Sequence, residues 1–97
     1  NSPYAKNAEN KILILKNYLA GKVMYSARHD MAQQNWTSAI ANLQSVIDGA
    51  QETAMTAEAL FRLTECYTAI GLPSQAAGYA EMLRTNFPDS EWTKKLK

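Results

Sequence analysis

Residues 67–88 read Tyr67-Thr68-Ala69-Ile70-Gly71-Leu72-Pro73-Ser74-Gln75-Ala76-Ala77-Gly78-Tyr79-Ala80-Glu81-Met82-Leu83-Arg84-Thr85-Asn86-Phe87-Pro88. Gly71 supplies a turn, and Pro73 fits the first position of a new helix, where its missing N–H is not needed. Ala76, Ala80, Leu83 and Phe87 then recur at helical spacing until Pro88 stops the run. Upstream of the turn, Ala57, Leu60, Leu63, Tyr67 and Ile70 keep the same spacing. The stretch therefore predicts two helices joined by a tight turn.

The rest of the chain has the same punctuation. Ser2-Pro3 opens a helix: serine caps free N–H groups and proline takes the first turn. No strong breaker except Gly21 follows before Gln34, which predicts one long helix with a bend allowed at Gly21. It carries two apolar rows, Ala8, Ile12, Leu15, Leu19, Val23 and Leu13, Ala20, Met24, Ala27, Met31. Two apolar sides imply a helix lying between neighbours. Asn35 opens the next helix, with Trp36, Ile40, Leu43 and Ile47 on one face, a stop at Gly49 and a turn around Ala50–Thr53. After Pro88-Asp89-Ser90, Glu91-Trp92 begins a fifth helix. Strand-like alternation is absent, so the fold class is all-α.

Aligning Asn35-Trp36-Thr37-Ser38-Ala39-Ile40 with Leu72-Pro73-Ser74-Gln75-Ala76-Ala77 sets Ala39 opposite Ala76, 37 positions apart. Tetratricopeptide repeats have a period of about 34 residues. Tyr67, Gly71, Ala76, Leu83 and Pro88 match that consensus, in which a small alanine lets two helices approach closely. In the earlier copy Ala27, Trp36 and Ala39 fit, but Asp30 replaces the tyrosine and Gln34 the glycine. The expected organisation is a single piece of a tetratricopeptide-like solenoid over 1–97, with repeats at 3–49 and 53–88 and the start of a further helix at 90–97. Asn1-Ser2-Pro3-Tyr4-Ala5-Lys6 also resembles Asp89-Ser90-Glu91-Trp92-Thr93-Lys94, as expected for a segment of a longer array.

Composition narrows the function. Ten Lys and Arg against nine Asp and Glu give a charge of +1, too near neutral to argue nucleic-acid binding from charge. The lone cysteine, Cys66, rules out an internal disulfide, and its place near Leu63 and Tyr67 predicts a core thiol. His29, the single histidine, lacks any HExxH or CxxC context, so a solvent or packing role is expected. Glu52, Glu58, Glu65, Glu81 and Glu91 are scattered and expected in solvent, while Trp36, Tyr67 and Phe87 are expected in the core. No catalytic, metal or cofactor constellation stands out. Projected at about 100° per residue, Lys11, Tyr18, Lys22, Tyr25 and His29 share a stripe about 60° wide. The stripe is either a polar edge on which tyrosines snorkel or a protein-contact surface.

Phe87-Pro88-Asp89-Ser90-Glu91-Trp92, an aromatic-Pro-x-Ser junction between helical repeats, resembles the ComL/YfiO-like family of outer-membrane assembly lipoproteins, BamD. Leu15-Lys16-Asn17-Tyr18-Leu19-Ala20 is similar to the start of that family's long fourth-repeat helix. Glu58 to Tyr67 followed by Gly71-Leu72-Pro73 is similar to its last repeat, notably in alphaproteobacterial members. The resemblance implies the C-terminal part of a scaffold at the periplasmic face of the outer membrane, anchored by a lipid outside these residues. The implied partners are the POTRA region of the barrel protein BamA and small accessory lipoproteins, with no nucleic acid or small-molecule substrate. Lys11, Tyr18, Lys22 and Tyr25 would carry the contact. The alternatives are another periplasmic adaptor, such as the division-associated TolA-binding tetratricopeptide protein, or a generic peptide-binding module. A carboxylate-gripping co-chaperone is disfavoured, because no Lys or Arg lies between Arg28 and Arg62.

Overall fold

The computed structural model describes residues 3–48 and 53–96, with side chains from residue 9 onward. Five helices follow one another: α1 (Pro3–Ala32), α2 (Trp36–Ile47), α3 (Thr56–Ala69), α4 (Pro73–Asn86) and α5 (Glu91–Lys94). The Ser2 cap, the Gly49 stop, most of the Ala50–Thr53 turn and Glu52 lie outside the described residues. Sequential helices pack side by side, and α5 rests on both α3 and α4. All-α architecture is as expected. α1 runs unbroken through Gly21, held on either side by Ala20 and Met24 in the core.

One core serves three helices. Ala20, Met24 and Ala27 of α1, Ala39, Leu43 and Val46 of α2, and Ala59, Leu63 and Cys66 of α3 form a single buried cluster. Burial of such side chains is the main favourable term in a fold this small. Alanine at positions 27, 39, 59 and 76 lets the helix backbones approach. Three aromatics stay at the margin: Trp36, Tyr67 and Phe87, expected in the core, are half-buried. Tyr67 stacks on Tyr79 with ring centroids 5.5 Å apart, and Gln44 Nε2 donates to the Tyr79 hydroxyl at 2.8 Å. Ile70, expected on the packed face, is 41% exposed because α3 has already ended.

The 37-residue repeat reappears in the backbone. Asn35 N–H donates to the Asp30 carbonyl and Gln34 N–H to that of Met31; Leu72 bonds Tyr67 and Gly71 bonds Thr68 in the same way. Each pair is the double hydrogen bond that closes a helix end through one left-handed residue. Those residues are Gln34, with φ 60°, and Gly71, with φ 82°. Asp30, standing where the consensus has tyrosine, fastens α1 to α2 by accepting from Ser38 Oγ at 2.8 Å and Asn42 Nδ2 at 3.0 Å.

Two further expectations need correction. Ile12, Leu15 and Leu19, one of the two apolar rows of α1, are about half exposed at 53%, 54% and 50%. α1 has 30 residues and α2 only 12, so the first half of α1 projects beyond its partner. Leu13, from the other row, is exposed for the same reason. The second correction is Glu58, which is not in solvent but buried, with 7% of its side chain exposed. Arg28 reaches from α1 to grip it with two hydrogen bonds, 2.6 and 2.8 Å, and Arg62 adds a third at 3.3 Å. Charged, fork-shaped pairing offsets the cost of burying the carboxylate. The Arg28 hydrogen bonds outweigh desolvation and hold the Glu58 carboxyl below its ordinary range, while the Arg28 guanidinium rises.

Because a glutamine strains at positive φ, Gln34→Gly should raise stability by about 0.5–1 kcal/mol. Gly71→Ala should lower it by a similar amount, since no atom lies within 4 Å of the added Cβ and only the backbone resists. Chemical denaturation of the two variants reads both signs; equal stabilities would refute the turn assignment. Glu58→Gln should cost about 1–3 kcal/mol at neutral pH. A depressed carboxyl stabilises the fold above its unfolded value, and that contribution disappears as pH falls through the folded one. The gap between Glu58→Gln and the parent should therefore close in acid, measured by denaturant unfolding from pH 7 to about 3.

Candidate protein-binding surface

Helical geometry places the stripe on the outer side of α1, away from α2. Lys11, Lys22 and His29 are exposed, as are Tyr18 at 59% and Tyr25 at 74%. Tyr18 and Lys22 are four positions apart and therefore neighbours on the helix surface. The Lys22 ammonium lies 5.5 Å from the Tyr18 ring centroid, within cation–π range. Lys11 sits about 10 Å further towards the helix start. Beside this stripe lie the open aliphatics of the projecting half, Ile12, Ile14, Leu15 and Leu19. Together they form an apolar patch flanked by lysines and tyrosines, larger than the isolated apolar residues normal on a surface.

The repeat shows which part of α1 is built for stacking. Lys22, Ser26 and His29 stand 37 positions before Ala59, Leu63 and Cys66. Those three counterparts are fully buried against α1 and α2, whereas all three α1 residues are polar and exposed. A helix packed there as α2 packs on α3 would bury a lysine and a histidine among apolar groups, which is costly without partners. The second half of α1 thus presents a water-compatible face where α3 presents a core face. Only the aliphatic first half resembles a packing surface.

Two contacts fix the orientation of α1 relative to α3. Arg28 binds Glu58, and the Asn17 side-chain oxygen accepts the Ala54 N–H at 2.9 Å just before α3 begins. The Glu58 clamp was hidden in the sequence. Its available signal was an arginine at each border of a cation-free stretch, with Glu58 four residues before Arg62.

The groups with reactive chemistry are disposed differently. Cys66 is buried, and desolvation pushes its thiol up to about 11, far from a thiolate at neutral pH. Burial likewise raises the Tyr67 phenol, with the neighbouring Tyr79 adding to it. His29 is exposed on α1, on the far side from the core. Among the described residues no three His, Cys, Asp or Glu side chains gather as metal ligands, and no helix is long and apolar enough to cross a membrane. What the surface offers is aliphatic, aromatic and cationic contact.

The family described as YfiO, outer membrane lipoprotein, matches residues 1–83. The chain is 38% identical over 92 residues to the outer membrane protein assembly factor BamD of Rickettsia prowazekii, covering 95% of this chain and 37% of that protein. It is 39% identical over 92 residues to the factor of the same name from Caulobacter vibrioides, covering 95% of this chain and 30% of that protein. The factor from Neisseria meningitidis serogroup A is 34% identical over 90 residues, 93% of this chain and 34% of that protein. The chain thus spans about a third of the length of these relatives.

Proposed function

Since the chain belongs to the YfiO family of outer membrane lipoproteins, we propose that it is a protein-binding scaffold segment of an outer-membrane-protein assembly factor. In this reading α1 docks a partner domain, the periplasmic POTRA region of a BamA-like barrel protein, with small accessory lipoproteins binding elsewhere. Attachment to the outer membrane falls to a lipid outside these residues, because Cys66 is enclosed in the core. The proposed role is protein contact, carried by the open tyrosines, lysines and aliphatics of α1. The observation carrying the proposal is the pair of open tyrosines beside a face that the repeat elsewhere buries.

The physics suits such a role. Tyrosine gives a large, rigid contact area with one polar end, and interfaces are enriched in it. Lys22 over Tyr18 holds the ring in place, and with Lys11 it can meet acidic groups and speed encounter.

Tyr18→Ala should weaken binding to a purified POTRA region by at least about 1 kcal/mol, read by calorimetry. Tyr18 is 59% exposed, so the variant should fold, and circular dichroism checks this. Lys11→Glu and Lys22→Glu should chiefly slow association, with a loss that shrinks as salt rises. A folded Tyr18→Ala chain that binds with undiminished affinity would remove this surface from consideration.

A further inference from the structure

Among the described residues outside α1, three large apolar side chains stand open: Ile70 at 41%, Leu72 at 44% and Met82 at 43%. Ile70 and Leu72 flank the Gly71 turn, and Met82 lies on α4. Their counterparts 37 residues earlier are Gln33, Asn35 and Ser45, all polar and exposed. Stacking of the repeats covers these positions in neither direction. Gln33, Asn35 and Ser45 are open with α3 and α4 in place after them. Ile70, Leu72 and Met82 are open with α1 and α2 in place before them. The second repeat thus carries apolar groups where the array itself leaves side chains in water.

The three belong to one strip. From Leu72, the N-cap of α4, Gln75, Tyr79 and Met82 follow at steps of three, four and three, which sets them along one side of the helix. Ile70 extends the strip at its start, and Tyr79 is half-buried, its hydroxyl accepting from Gln44 of α2. No charged residue occurs from Cys66 to Ala80, although 20% of the chain is charged. Contiguous apolar surface and depletion of charge are marks of an interface core.

The order of the strip selects its occupant. Leu72, Gln75, Tyr79 and Met82 read alike from both ends, with apolar groups outside and hydrogen-bonding groups inside. Two such helices laid antiparallel about a two-fold axis bring each Leu72 onto the partner's Met82 and each Gln75 beside the partner's Tyr79. The same axis sets Glu81 against the partner's Pro73 and Arg84 against the partner's Ile70, so no like charges meet. A net charge of +1 leaves little repulsion between whole copies. We infer that this strip pairs two copies of the chain through α4. The 14 residues of α4 give a contact line of about 21 Å, which suits a weak, concentration-dependent pair. The strip is separate from the α1 surface, and its failure would leave that reading intact.

The test is sedimentation equilibrium of the 97-residue chain from about 10 μM to about 1 mM, since a pair forms by mass action. The mass should rise with concentration from 10.8 kDa towards twice that value. In NMR, the amides of Leu72, Gln75, Tyr79 and Met82 should shift on dilution while those of Tyr18 and Tyr25 stay fixed. A triple variant, Ile70→Gln with Leu72→Asn and Met82→Ser, takes the first repeat's own residues at exposed positions, so its fold should persist, and circular dichroism checks this. It should pair at least roughly tenfold more weakly than the parent. A chain monomeric throughout the range, dilution shifts confined to α1, or a smaller loss in the triple variant would each overturn the inference.

Discussion

At Gln34 and Gly71 the backbone turns through positive φ, and the double hydrogen bonds at those points reverse the chain in the same way twice. Everything else depends on that reversal. It lays α2 back along α1 and α4 back along α3, and it sets the phase at which small residues meet. Ala39 and Ala76 then bring each pair close, and α3 slots its Ala59, Leu63 and Cys66 into the seat that α1 and α2 make. The second copy uses glycine for the turn, as its consensus demands. The first copy forces glutamine into it, and Asp30 supplies side-chain ties to α2 that help hold the strained end.

The Gly71 turn, the alanine spacing and the helix starts were legible because each is a local requirement. Gly71 then Pro73, and Ser90 capping Trp92 N–H at 3.1 Å, are imposed by the few residues around them. Burial on α1 was legible only in part. Helical spacing identifies apolar rows but not which row has a neighbour, and the neighbour is set by the unequal lengths of α1 and α2. Thus Met24 and Ala27 are enclosed while Ile12 and Leu15 stand open, although the two rows look alike in sequence. Glu58 illustrates the other failure. A carboxylate is ordinarily solvated, and its burial here depends on Arg28, 30 positions away, a contact no local pattern encodes.

The stripe of Lys11, Tyr18, Lys22 and Tyr25 was legible as a face, because helical projection needs only the spacing. Its openness followed from the fold. The meaning of that openness comes from comparing the two repeats, which places lysine, serine and histidine where the other copy has alanine, leucine and cysteine. Selection for stacking would have kept those positions apolar. Their polarity and the two open tyrosines support the proposal that α1 meets another protein.

The central claim is that α1 is that meeting surface. The most direct measurement is amide hydrogen exchange of the chain, alone and with a POTRA region bound. The account predicts slowed exchange concentrated in α1 around residues 11–29, with α4 unchanged. Protection confined to α3–α5, with α1 exchanging as in the free chain, would contradict it.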